Sequence, residues 1–177
     1  MFRDLAARIA AGAAVVLLSA ACTSVTDGSP TAQTDVGPGP TPGPSGDAVG
    51  MLQQHWMQFD SDLGDAVLAY KNQHPSPILI KDQPEYDAWQ STLPAKMQPD
   101  AEGITLDEQV AVAGYYNKCM EVSSIQNLGD GKIEFDVSIP PEDEGTMCGA
   151  SPMHVELWIV DLDELGVDDP DDILLKG

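Results

Sequence analysis

The stretch CMEVSSIQNLGDGKIEFDVSI, Cys119 to Ile139, sets two segments around a glycine-rich centre. In its second half Ile133, Phe135, Val137 and Ile139 alternate with Glu134, Asp136 and Ser138. That period of two is the pattern of a strand with one face turned inward. Cys119 to Gln126 alternates less regularly, and Gly129-Asp130-Gly131 between the two supplies the positive-φ positions of a tight hairpin turn. Upstream, EQVAVAGYY is a continuous apolar run too short for a helix and reads as a central strand; downstream, MHVELWIV, Met153 to Val160, places Val155, Leu157 and Ile159 on one face. The second half of the chain is therefore expected to be an antiparallel sheet of about four strands.

Further upstream the period changes. Leu52, Trp56, Phe59, Leu63, Val67 and Tyr70 recur at steps of three and four, which predicts an amphipathic helix from Met51 that ends before Pro75. PILIK, Pro77 to Lys81, reads as a short strand, and QPEYDAWQSTL as a helix opened by Pro84, with Tyr86, Trp89 and Leu93 along one side. The fold class expected is α+β: an N-terminal amphipathic helix, a short strand and helix, then the antiparallel sheet, with one disulfide.

The first residues carry an address. Arg3 and Arg8 precede an apolar stretch, Ile9 to Leu18, that is too short to anchor as a membrane-spanning helix, and Ser19-Ala20-Ala21 supplies small residues before Cys22. This segment resembles a bacterial lipoprotein signal, which implies removal of residues 1–21 and attachment of diacylglycerol to Cys22. Ser19 stands where that signal most often has Leu. The alternative is ordinary cleavage at the Ala-Ala pair and full secretion. Residues 22–50 are then the lipidated cysteine and a Pro/Gly/Ser/Thr-rich tether without apolar periodicity, stiffened by GPGPTPGPSG; residues 51–177 form a single acidic domain.

Charge narrows the partners. The chain carries 8 Lys plus Arg against 29 Asp plus Glu, a net charge of −21. Loss of Arg3, Asp4 and Arg8 with the signal leaves a net −22 and no arginine at all. Nucleic acid is disfavoured, because phosphate binding needs clustered Lys and Arg. Anionic lipid headgroups would repel the domain, so membrane association is expected only through the acyl chains on Cys22.

With Cys22 taken by lipid, Cys119 and Cys148 remain as a pair, and in an oxidising exterior they are expected to form one disulfide. Catalytic motifs are missing: there is no Gly-x-Ser-x-Gly elbow, no His-Glu-x-x-His, no phosphate-cradling glycine loop and no dinucleotide fingerprint. The histidines are His55, His74 and His154. His154 shares a strand face with Glu156 and Trp158, read as a solvated or partly packed outer face; His74 before Pro75 reads as a cation at a helix end. Asp60, Asp62 and Asp65 read as capping and solvated face. Asp161, Asp163, Gly166 and Asp172 imitate a calcium loop but lack its fifth ligand and its closing Glu. No metal, cofactor or catalytic residue is assigned.

The order of PILI, PEYDAWQ, EQVAVAGYY and the hairpin with its two cysteines, Pro77 to Leu165, resembles the C-terminal module of the PrcB-like protease-complex subunit family and the disulfide-bearing hairpins of small lipoproteins from high-GC Gram-positive bacteria. YYNKC stands where that family usually has a Gly-Gly-Tyr turn. The likeness implies a subunit role rather than a chemistry. The expectation is a lipid-anchored protein on the outer face of a bacterial membrane that binds an envelope or secreted protein. The alternatives are an envelope hydrolase with an unrecognised site and a calcium-dependent adhesion or stability module.

Overall fold

The computed structural model describes residues 46–176; the expected signal peptide, Cys22 and the tether up to residue 45 lie outside them. The strands are β1 (Asp47–Val49), β2 (Met51–Met57), β3 (Ile78–Ile80), β4 (Gln109–Asn117), β5 (Val122–Gly129), β6 (Lys132–Ser138), β7 (Met153–Asp161) and β8 (Leu174–Lys176); the helices are α1 (Gly64–Gln73), α2 (Gln83–Thr92) and the single turn α3 (Leu162–Leu165). The fold is α+β, as its sequence pattern implies. The strands form two four-stranded sheets, in orders β1-β5-β6-β8 and β2-β7-β4-β3. All pairs are antiparallel except β6 with β8.

The layers follow from β4 and β7. Ala111 and Ala113 pack with Tyr70, Tyr86 and Trp89 of α1 and α2, whereas Val110 and Val112 on the opposite face pack with Ile125 and Ile133 of the other sheet. Along β7, Val155 and Leu157 face the helices and Val160 faces the second sheet. The central sheet is thus covered on both faces, which explains the unbroken apolar run of β4. Small alanines on the helix side leave room for the buried Tyr70 and Tyr86 rings. Helix α2 starts as its sequence suggests: Asp82 accepts from the Glu85 N–H at 2.8 Å and Pro84 lies in the first turn.

Two segments differ from the sequence expectation. Met51–Met57 is strand β2, not the start of a helix, and only Gly64–Gln73 is helical. Trp56 is buried in both arrangements, because a step of four residues repeats on a strand face as well as on a helix face. A turn separates the two elements: Asp60 Oδ1 accepts from the Asp62 N–H, and the Asp60 carbonyl accepts from Leu63 and Gly64. Asp47–Val49, within the stretch read as tether, is strand β1 paired with Asn127 to Ile125 of β5. Gly50, at φ 75°, turns the chain directly from one sheet into the other.

Cys119 and Cys148 are disulfide-bonded, with Cα atoms 5.9 Å apart. The bond ties the β4–β5 connection to the loop before β7, and β5 begins at Val122 rather than at the cysteine. Among the described residues, no helix is long and apolar enough to cross a membrane.

Candidate functional site

The face of β7 that carries His154, Glu156 and Trp158 is not an outer face: it lies between the sheets, with His154 5% and Glu156 3% exposed. The second sheet covers it, which alternation within one strand does not reveal. Antiparallel register sets His55 of β2 and Gly114 of β4 opposite Glu156 on its two sides, and Met57 and Tyr116 opposite His154. Ser123 reaches the group from β5, in the facing sheet.

Glu156 organises the cluster. Its Oε1 accepts from the Tyr116 hydroxyl at 2.9 Å, and its Oε2 accepts from the Ser123 hydroxyl and from Trp158 Nε1, the latter at 3.2 Å. Neither of the two ion pairs among the described residues involves Glu156. Three donors solvate this carboxylate in place of water, which satisfies its lone pairs in part without neutralising it.

His55 Nε2 and His154 Nδ1 face each other at 2.5 Å. Two imidazole lone pairs repel at that distance, so a hydrogen must lie between them, one ring donating and the other accepting. Burial pushes His154 down to about 4; His55 and Lys118 act in the same direction and Glu156 opposes them. His55 is lowered chiefly by burial, against Glu156 and with Lys118. The Tyr116 hydroxyl is raised by burial and by the neighbouring Glu156 charge. The nearest ligand atoms of His55, His154 and Glu156 all lie within 4.8 Å of one another.

The Ser123 hydroxyl donates to the Glu156 carboxylate and not to an imidazole.

Of the other residues singled out in the sequence, Asp161 ends β7 and accepts from Gln109 Nε2 at 2.6 Å, while Gly166 ends α3 in the left-handed conformation. Among the described residues, the tail carboxylates do not converge into a group able to hold an ion. His74 does stand at the end of α1, but it stacks on Tyr70 and burial lowers its pKa, contrary to the reading of a helix-end cation.

Sequence reasoning placed His154 and Glu156 together and missed His55, Tyr116 and Ser123 as their partners. The available signal was Tyr116 on the same face of β4 as Gly114 and Val112. Compared with known family models, characterised proteins and solved structures, the chain matches none.

Proposed function

We propose that this protein is a lipid-anchored, extracytoplasmic lipoprotein whose domain works as a protein-binding or complex-assembly module at the outer face of a bacterial membrane, docking an extended segment of another envelope or secreted protein along β2. The observation that carries this reading is the edge of β2. Among the described residues β2 pairs only with β7, so its other edge offers backbone donors and acceptors. Met51, Leu52 and Met57 on it are exposed, and Phe59 just beyond is 66% exposed. A free edge with apolar side chains is suited to strand addition, in which the main chain supplies affinity and the side chains supply selectivity.

Asp47 lies before this strand and Asp60 and Asp62 after it, which favours a partner segment carrying lysine or arginine. A second copy of the chain is disfavoured by like-charge repulsion between strongly acidic domains. The strand order likened to the PrcB-like subunits supports a subunit role, and the signal-like N-terminus supports the location.

The test is site-specific photo-crosslinking in the producing bacterium, with the probe at Leu52 or, as control, at Asn72 on the exposed side of α1. A single adduct of constant mass from Leu52, lost in Met51→Lys, supports the reading. Equal labelling from both positions, or an adduct of twice the protein's own mass, overturns it.

A further inference from the structure

We propose that His55, His154 and Glu156 form a binding site for one borderline transition-metal ion, zinc above all, which staples edge strand β2 to β7. Two imidazole nitrogens and one carboxylate oxygen from adjacent strands are an N₂O donor set of the kind zinc takes, and their ligand atoms already lie within 4.8 Å of one another. The group is not merely acidic. Two ring nitrogens pointed at each other at 2.5 Å share one hydrogen in the metal-free protein, and a metal ion can take that place once the donor ring carries its hydrogen on its other nitrogen.

The second observation is the state of Glu156. Its carboxylate is 3% exposed, and neither ion pair among the described residues includes it. Oε2 already accepts two hydrogen bonds, while Oε1 accepts only from Tyr116 and keeps a lone pair for an ion. A divalent ion here would neutralise that charge, and the Tyr116 and Ser123 donors would hold the carboxylate in position, as outer partners of metal ligands do.

Zinc bonds of about 2.0 to 2.1 Å separate two tetrahedral ligand atoms by roughly 3.4 Å, so the imidazoles must part by about 1 Å. His55 lies on the exposed edge strand and has the freedom to give that distance. The same exposure leaves a fourth position open to water. Magnesium is excluded by its preference for several oxygen ligands.

The experiment is zinc titration of the purified, tag-free protein in detergent, by calorimetry and by thermal melting, with magnesium as control and X-ray absorption of the zinc-loaded sample. The expected result is one zinc per chain, an absorption spectrum with two imidazole ligands, and a melting temperature raised by zinc but not by magnesium. Replacing outer partners of metal ligands typically costs 10- to 100-fold in affinity, so losing a direct ligand in His55→Ala should cost about 100-fold or more. His55→Ala also removes the hydrogen-bond partner of the buried His154, so His55→Ala and Glu156→Gln are each compared with their own metal-free melt, and both should lose the zinc-induced shift. Absence of zinc binding, affinity unchanged in His55→Ala, a spectrum without imidazole, or equal shifts with magnesium would each overturn the proposal.

Discussion

Gly114 lies where β4 passes beneath the Phe135 ring: a Cβ at that position would come within 2.7 Å of two ring carbons. The contact couples the two sheets next to Glu156, which is paired with Gly114. Gly114→Ala forces the half-buried ring to shift and should cost about 1 to 3 kcal/mol, read as a lower denaturation midpoint at unchanged slope. His74 gives a second prediction. Its folded pKa lies below the ordinary value of 6.5, so the unfolded chain binds the proton more readily. The stability contributed by the neutral ring is present above pH 6.5 and is lost as pH falls through the lowered folded value. Melting temperature should therefore fall less steeply below pH 6.5 in His74→Gln than in the parent, and parallel profiles would contradict this. At this scale the sequence was legible only along single strands. His154 and Glu156 are two positions apart, but His55 is 99 positions from His154 and Ser123 is 33 from Glu156. No period within one element reports such distances.

The elements were read best where one face is buried and the other is not. Ile133 and Phe135 on β6 point inward with Glu134 and Asp136 outside, as the alternation implies, while Val137 and Ile139 are exposed although their alternation turns them inward. Strand β2 was misread because Leu52 and Trp56 fit a helical step and because its one partner among the described residues, β7, lies far along the chain. Strands β1 and β8 have three residues each, too few to show a period. The disulfide belongs to this scale as well. It closes a separation of 29 residues and should contribute about 3 to 4 kcal/mol on the chain-entropy model. Reduction should lower the melting temperature by several degrees, and Cys119→Ser with Cys148→Ser should reproduce that shift without reductant. Identical melts with and without reductant would show that the loop before β7 is already held by other contacts.

For the whole molecule, acidity and anchorage are linked. A chain with net charge −21 has no electrostatic reason to remain at an anionic bilayer, so lipid on Cys22 is the attachment the proposed location depends on. Cys22→Ala should move the protein to the medium or leave it unprocessed, as measured by fractionation and intact mass. Processed protein that still needs detergent for release would count against the anchor.

The pairing of β2 with β7 also governs when the molecule can assemble. A chain is made from its N-terminus, and β2 then waits for a partner strand that begins at Met153. Strand β3 likewise waits for β4, and β4 for β7 on its other side. Folding slows as its contacts span more of the sequence. Throughout that interval the apolar edge of β2 is unguarded on both sides, so a chain exported as proposed would rely on a holding factor, or on its own negative charge, to escape aggregation before its last 25 residues arrive.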